Sequence, residues 1–275
     1  MADKIHVIVT TSPNYESVYK FFHDSITTEP SIELHINNID LSSYSSRDFR
    51  SDGWYAALHH KIQYLVEFLK SHSEIPHVVF SDADIQYFRP AGLYELIQQL
   101  YEKNLDYYGM QETDTADYNT GFFIIKNTPQ IIALFESVSN RLLSERPPFG
   151  DQTLINDYIT ENTYNIAHAH IPRKYCIFGD NSPESPYVIF HHAVNTSNTN
   201  GKTEQLAAVK DRYMSYMSNQ KSEGFRTNVD QFILIGIIVC AVLISLLYFI
   251  NNVGTIKHQY NIIAKSVGRV LKHII

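Results

Sequence analysis

Strand-like and helix-like segments alternate along residues 1–202 of this 275-residue chain, which restricts the folds open to it. Short apolar runs typical of strands are Ile5–Thr10, Ile32–Ile36, Val78–Phe80, Asp106–Met110, Gly121–Ile125 and Tyr187–Phe190. Segments with helical spacing are Tyr15–Ser25, Trp54–Ser71, Leu93–Lys103, Pro129–Leu143 and Gln152–Tyr158. Because helices that join successive strands cover both faces of a sheet, this order predicts an α/β domain with a mixed, mainly parallel sheet.

Two acidic residues follow one of the predicted strands. Asp82-Ala83-Asp84 comes directly after Val78-Val79-Phe80. In open α/β sheets ligands bind beyond the carboxyl ends of the strands, and two carboxylates one residue apart can hold a hard divalent cation that carries a diphosphate. An acidic turn without a ligand is the alternative interpretation of so short a motif.

Further polar segments follow other predicted strands or lie on helices. Thr10, Thr11 and Tyr15 place hydroxyls and a ring at the end of the first strand, where they can bind a base and ribose or simply cap a helix. Lys61 lies on the helix before the Asp82 strand and can reach a phosphate, although most helix lysines are solvated. Asp151 begins a predicted helix, where Asp is also a favoured N-cap.

Taken in order, these blocks resemble the GT-A glycosyltransferases, which are nucleotide-diphospho-sugar transferases, and in particular their glycogenin-like and plant cell-wall-type branches. The resemblance covers residues 5–202 and rests on four short motifs. They are the D-x-D of Asp82-Ala83-Asp84 followed by Phe88-Arg89-Pro90, the block Asn119-Thr120-Gly121-Phe122, the block Asp151-Gln152 with Leu154-Ile155-Asn156, and the strand end Phe190-His191-His192 with Gly201-Lys202.

The resemblance implies a role for each matching position. Asp82, Asp84 and either His191 or His192 would bind the metal, and His191 is the preferred ligand because it continues the strand directly. Asn119, Asp151 and Gln152 would face the donor sugar as the catalytic set. Nucleotide contacts would come from Thr10, Thr11, Tyr15, Lys61, Asp82, Ala83, Gly121 and Lys202. The spacing from His191 to Lys202 exceeds that of the compact H-x-x-G-x-x-K-P-W motif, and no Pro-Trp follows Lys202.

A mechanism follows from the same resemblance. A divalent ion would stabilise the charge that develops on a nucleotide diphosphate leaving group, and oxygen-rich ligands suit Mn²⁺ or Mg²⁺ better than Zn²⁺. In the resembling retaining enzymes the residue at the position of Asp151 orients the donor or stabilises an oxocarbenium-like state. We therefore expect a UDP-sugar donor, retention of configuration, and a glycan, protein or lipid acceptor.

Two other classes of function remain open from the sequence. One is a catalytically inert GT-A-like binding module tethered to a membrane. The other is a phosphohydrolase with Asp82 as nucleophile, because aspartyl-phosphate enzymes also carry D-x-D at a strand end. A strand and two long helices precede Asp82, which disfavours the phosphohydrolase because that class expects its D-x-D strand near the N-terminus.

Composition excludes several other classes. The net charge is −7, and after Asp230 the chain has only basic charged residues, so the preceding part is more acidic still. A general nucleic-acid binder needs clustered Lys and Arg, and we therefore expect no nucleic-acid partner. The two cysteines, Cys176 and Cys240, provide neither a disulfide framework nor a cysteine-based zinc site.

The C-terminal region predicts a membrane anchor. No charged residue occurs from Gln231 to Ile256, which is enough for one spanning helix of about 20 residues. The predicted organisation is a transferase domain over 1–202, a helix and linker over 203–230, a transmembrane helix over 231–252 and a basic amphipathic tail over 253–275. A buried core helix is the alternative to the span, and a helix that packs on the domain is the alternative to the tail.

The side of the membrane rests on conflicting signals. The start of the chain lacks the features of a signal peptide, which favours a cytosolic catalytic domain, whereas the basic tail itself prefers the cytoplasmic side. The sequon Asn195-Thr196-Ser197 adjoins the candidate histidine ligands, and a glycan there would obstruct the site. We therefore expect a cytosolic domain with a single C-terminal anchor.

Overall fold

The protein is described by a computed structural model that covers residues 4–46, 48–112, 116–196 and 198–220. It also describes residues 237, 239, 242, 257–258, 260–262, 264–266 and 268–269. The chain divides into two compact units, Met1–Tyr216 and Met217–Ile275. The first unit contains both sheets and all the candidate site residues.

The strands and helices of the first unit alternate as the sequence predicts. The strands are β1 Ile5–Thr11, β2 Ile32–Asn38, β3 His77–Asp82, β4 Ile85–Tyr87, β5 Tyr107–Gln111, β6 Tyr118–Lys126, β7 His168–Ile171, β8 Cys176–Phe178 and β9 Phe190–His192. The helices are α1 Glu16–Ile26, α2 Asp52–Ser71, α3 Leu93–Glu102, α4 Pro129–Glu145, α5 Asp151–Thr160 and α6 over 199–220.

The larger sheet has six strands in the order β2-β1-β3-β6-β5-β7. Strand β6 runs antiparallel to β3 and β5, whereas the pairs β1–β2, β1–β3 and β5–β7 are parallel. The smaller sheet has the order β4-β9-β8 and extends from the end of β3. The prediction of a mixed, mainly parallel sheet flanked by helices is confirmed.

Apolar residues on both faces of the large sheet form two cores. One packs β3 and β6 against α2, α4 and α5, and the other packs them against α1, α3 and the small sheet. Strand β3 is buried through Val78, Val79 and Phe80, which explains its uninterrupted apolar run. Helices α2 and α4 begin at side-chain caps: Ser51 accepts a hydrogen bond from the Trp54 amide, and Thr128 accepts one from the Ile131 amide.

The sheet register brings three chain segments to one edge. Thr10, near the end of β1, pairs with Asp82 at the end of β3. Because β6 is antiparallel and Phe122 pairs with Ser81, the residues before Phe122 lie at this same edge. The D-x-D segment therefore lies between the end of β1 and the beginning of β6.

Several predicted boundaries differ from the structure. Asn119 and Thr120 are buried inside β6 rather than in a turn before it, and the last predicted strand is displaced to Phe190–His192. Strands β4, β7 and β8 were not predicted, because three or four residues are too few to show an alternating apolar pattern.

Helix α6 belongs to the first unit as far as Tyr216. Leu206 and Val209 are fully buried, and the Tyr213 ring stacks on Phe88 with centroids 4.2 Å apart. The polar residues of 203–216 thus lie on the outer face of a helix that packs on the rest of the first unit.

Most of the predicted span 231–252 lies outside the described residues. The described positions Ile237, Val239 and Val242 are helical and exposed. Among the described residues, no helix is long and apolar enough to cross a membrane. In the predicted tail, Val267, Val270 and Ile274 also lie outside the described residues, while Tyr260 is helical and exposed.

Candidate functional site

A cluster of two carboxylates and one imidazole lies at the end of β3. Asp82 is the last residue of that strand, and Asp84 lies in the turn before β4. Asp84 Oδ1 is 3.2 Å from Nε2 of His192, and one ligand atom from each of Asp82, Asp84 and His192 lies within 4.8 Å of the others. Two carboxylates and an imidazole at this separation can coordinate a divalent cation.

The two adjacent histidines of β9 face opposite ways. His192 points to Asp84, whereas His191 Nε2 hydrogen-bonds the Gly179 carbonyl oxygen at 2.8 Å on the other face. Burial lowers the pKa of His191 to about 4. The geometry therefore favours His192 as the candidate ligand, in place of the His191 that strand continuity suggested.

Gly121 allows β6 to approach the candidate ligand. A Cβ atom at this position would lie 2.3 Å from Cε1 and 2.9 Å from Nε2 of His192. Any side chain would thus displace the imidazole. The glycine of the Asn119-Thr120-Gly121 block is explained by this close approach, which the sequence did not indicate.

Lys61 bridges two carboxylates beneath the cluster. Its Nζ lies 2.8 Å from Asp151 Oδ2 and donates to Asp82 Oδ1 at 3.3 Å, and the Lys61 and Asp151 side chains are only 7% and 3% exposed. Burial alone would lower the pKa of Lys61, but Asp151 and Asp82 outweigh it and raise that pKa above its usual value. Lys61 is therefore a buried cation and not a solvated helix lysine.

Asp82 is less buried than Lys61 and Asp151, with 31% of its side chain exposed. Burial raises the pKa of this carboxyl, and the neighbouring Asp84 charge adds to the rise against the opposing charge of Lys61. Two carboxylates this close repel each other, so a cation held between them would lower their mutual repulsion.

Lys202 and Tyr15 both contact Asp84. The Lys202 ammonium forms an ion pair with Asp84 Oδ2 and donates to the Ala193 carbonyl oxygen at 2.8 Å, while the Tyr15 hydroxyl donates to the same Oδ2 at 3.2 Å. Burial opposes ionisation of Asp84, yet Lys202 and His192 hold its pKa well below the usual range. Burial and the nearby Asp84 raise the pKa of Tyr15, which keeps its phenol neutral.

Lys202 lies in the first turn of α6, and its ammonium reaches Asp84, 118 positions earlier in the chain. The greater spacing from the β9 histidines is therefore compatible with a position in the cluster. Only the tertiary structure could establish this.

The two predicted amides are linked by an acid that sequence inspection missed. Glu112 Oε2 accepts from Asn119 Nδ2 at 2.8 Å and from Gln152 Nε2 at 3.1 Å. Asn119 Oδ1 in turn accepts from the Gly121 amide at 2.9 Å. Glu112 comes directly after β5, so its position at a strand end beside the D-x-D edge was the available signal.

Asn156 fixes α5 to β6. Its Oδ1 accepts from the Tyr118 amide at 2.7 Å, and its Nδ2 donates to the Tyr118 carbonyl oxygen at 2.9 Å. This pair completes the hydrogen bonds of a strand end and sets the distance of Gln152, one turn earlier on α5, from β6.

The remaining predicted nucleotide contacts lie along the same edge. Thr10 Oγ1 accepts from Asn37 Nδ2 at 3.4 Å, while Thr11 and Ala83 are buried. No acceptor or donor for Thr11 Oγ1 occurs among the described residues. These three residues are close to Asp82 through β1–β3 pairing, but no side-chain contact joins Thr10 to the carboxylate cluster among the described contacts.

Comparison with known proteins gives a family. The family model for nucleotide-diphospho-sugar transferases matches residues 23–223. The match includes Asp82, Asp84, Asp151, His192 and Lys202, and it begins after β1. A search of curated proteins found no significant match.

Two solved structures have a similar fold. A glycosyltransferase involved in the glycosylation of the major capsid of PBCV-1 has a TM-score of 0.55 and 13% identity, over 75% of this chain and 100% of that chain. The glycosyltransferase GlyE of Streptococcus pneumoniae TIGR4 has a TM-score of 0.50 and 11% identity, over 78% of this chain and 64% of that chain. At such identities the likeness is one of fold.

Proposed function

The chain belongs to the nucleotide-diphospho-sugar transferase family and is a glycosyltransferase, and we propose that a divalent cation held by Asp82, Asp84 and His192 binds its nucleotide-sugar donor. The convergence of these three side chains at one strand end is the observation that carries the proposal. The family excludes the phosphohydrolase that D-x-D alone left open.

The chemistry of the three ligands fits Mn²⁺ or Mg²⁺. Two carboxylates and one imidazole form an oxygen-rich donor set, which favours these hard cations. Asp84 Oδ1 is buried, and its neighbour is His192 Nε2 at 3.2 Å. A metal ion bound between these two atoms would neutralise the buried carboxylate and use the imidazole as a ligand.

When bound, the cation would neutralise negative charge on the diphosphate as it leaves the sugar. Among the protein's own side chains, Lys202 lies close to the proposed diphosphate position, because its ammonium forms an ion pair with Asp84 beside the cluster. From there it can contact a phosphate oxygen and share in stabilising the leaving group. Lys61 instead keeps Asp82 and Asp151 in place, because it is buried between them.

Asp151, Asn119 and Gln152 are the residues we assign to the donor sugar. Asp151 is held by Lys61, and the two amides are oriented by Glu112, so none of the three is free to rotate. Fixed polar groups of this kind orient a substrate without reorganisation during the reaction. UDP as the nucleotide and retention of configuration are inferred from the resembling enzymes.

Release of nucleoside diphosphate from a panel of nucleotide sugars tests the proposal. We expect turnover to require Mn²⁺ or Mg²⁺ and to fall at least about 100-fold in Asp84→Asn, since one ligand of the cation loses its charge. Asp24→Asn is the matched control, because Asp24 is an exposed carboxylate paired with Lys20 on α1. Undiminished turnover in Asp84→Asn contradicts the metal assignment.

The panel also separates the transferase from a catalytically inert module. If donor binds without release of nucleoside diphosphate under any metal, the inert GT-A-like module is supported. The nature of the acceptor, whether glycan, protein or lipid, is then tested by adding candidate acceptors to the active donor and following transfer.

We further propose that residues 231–252 anchor the protein in a membrane, with the transferase unit on the cytosolic side. The anchor is supported by the uncharged stretch 231–256. The side is supported by Asn195, which lies in the loop between His192 and Lys202, where a glycan would crowd the donor. Protease treatment of sealed membranes checks both points: a fully protected transferase unit contradicts the cytosolic placement.

A further inference from the structure

Two histidines and a glutamate converge on the outer strands of the large sheet. His6 lies on β1, and Glu33 and His35 lie on β2, the edge strand. His6 pairs with Glu33 across the two strands, and residues two apart on a strand share a face, so all three lie on the same face. One ligand atom from each lies within 4.8 Å of the others.

The two imidazoles are already close to a metal-binding arrangement. His6 Nδ1 is 3.0 Å from His35 Nε2, and the rings stack with centroids 5.2 Å apart. A tetrahedral Zn²⁺ with Zn–N bonds of about 2.0–2.1 Å holds its nitrogens roughly 3.3 Å apart. These two nitrogens share a hydrogen bond, so insertion of the ion requires that this bond breaks and that the nitrogens separate by about 0.3 Å.

The groups around the cluster limit its ligands to these three. Lys4 Nζ is 3.7 Å from Glu33 Oε2 and is the neighbouring cation among the described residues. His72 lies beside the cluster, with its ring centroid 6.3 Å from that of His35, but its Nδ1 contacts Ser71 Oγ and the Phe68 carbonyl oxygen. All three candidate ligands are half-buried, which leaves a path for an ion and for a water as fourth ligand.

We propose that His6, Glu33 and His35 form a zinc site that ties β1 to β2, separate from the donor site. Two imidazoles and one carboxylate suit Zn²⁺, whereas the carboxylate-rich Asp82 cluster suits Mn²⁺ or Mg²⁺. Thr10 is four positions after His6, which is roughly 13 Å along a strand. A zinc ion here would thus stabilise the strand that carries Thr10 without contacting the donor.

Calorimetric titration of metal-stripped full-length protein with Zn²⁺ tests the site. Excess Mg²⁺ is present throughout, so that the oxygen-rich Asp82 cluster is occupied. We expect the wild type to bind one zinc equivalent that His35→Gln and Glu33→Gln bind at least about 100-fold more weakly, since loss of even a second-shell partner costs about 10- to 100-fold. His23→Gln is the control, because His23 is an exposed histidine on α1 beside Asp24.

Two further measurements keep the proposal falsifiable. Co²⁺ in place of Zn²⁺ should give the intense visible absorption of four-coordinate nitrogen-ligated cobalt in the wild type and His23→Gln, and lose it in Glu33→Gln. Zinc should also raise the melting temperature of the wild type and His23→Gln, but not that of Glu33→Gln. Glu33 is 44% exposed, so its substitution leaves the fold intact if His35→Gln does not. Equal zinc binding in the wild type, His35→Gln and Glu33→Gln overturns the proposal.

Discussion

Lys61→Met should destabilise the protein far more than loss of an ordinary lysine, because Lys61 is the buried partner of two carboxylates, the interior Asp151 and the partly exposed Asp82. Its Nζ lies 2.8 Å from Asp151 and 3.3 Å from Asp82, and its side chain is 7% exposed. Methionine preserves the length and packing of the side chain but leaves Asp151, 3% exposed, without its cation.

The size of the effect follows from the desolvation of the stranded carboxylate. Removing one partner of a buried ion pair costs about 3–5 kcal/mol, whereas an exposed pair contributes about 0–1 kcal/mol. Lys70 provides the matched control on the same helix, since it pairs with Glu136 and the two side chains are 52% and 40% exposed. We therefore expect Lys70→Met to lower the free energy of unfolding by no more than about 1 kcal/mol.

Urea unfolding of both variants, followed by circular dichroism, measures this difference. The double variant Lys61→Met/Asp151→Asn should recover part of the loss, because it removes the unpaired charge. The reasoning fails if Lys61→Met costs no more than Lys70→Met, or if the second substitution recovers nothing. Either result would show that water solvates Asp151 in the absence of Lys61.

Three more perturbations test the site. Gly121→Ala should shift the His192 ring by about 1 Å and lower kcat/KM on the donor by about 100-fold, since its Cβ would lie 2.3 Å from that ring. The pKa of His191 is about 4 in the folded protein and about 6.5 in the unfolded chain. The unfolded chain therefore takes up the proton first, and the free energy of unfolding falls as the pH drops from about 6.5 to about 4. His191→Leu should remove this loss of stability. Glu112→Ala should raise the donor KM, because it frees the amides of Asn119 and Gln152.

Each of these has a control and a contrary result. Gly109→Ala places a Cβ 2.5 Å from Tyr107 in the core, so it should lower stability without weakening Mn²⁺ binding as Gly121→Ala does. If the free energy of unfolding of His191→Leu falls with pH between 6.5 and 4 as steeply as that of the wild type, a group other than His191 causes the loss of stability. If Glu112→Ala changes Mn²⁺ affinity as much as donor KM, the glutamate acts on the metal cluster and not on the amides.

The large-scale fold was predictable because it depends on patterns local to each segment. Short apolar runs typical of strands alternate with longer segments of helical spacing, and this alternation predicts the mixed sheet flanked by helices. The D-x-D segment was also accessible, because acidic residues directly after a buried strand lie at the sheet edge where ligands bind. Short strands such as β4 and β8 escaped prediction, since three residues carry no period.

The identity of individual site residues depended on pairing between distant segments. His191 and His192 are chemically identical and adjacent, and strand pleating alone sends them to opposite faces; the pairing of β9 with β4 decides which one meets Asp84. Glu112 likewise meets Asn119 and Gln152 only through the assembly of β5, β6 and α5. Local pattern thus predicted a ligand site at this edge, while only the assembled sheets determined which side chains meet there, because His192 and Lys202, the partners of Asp84, lie more than a hundred positions away in the chain.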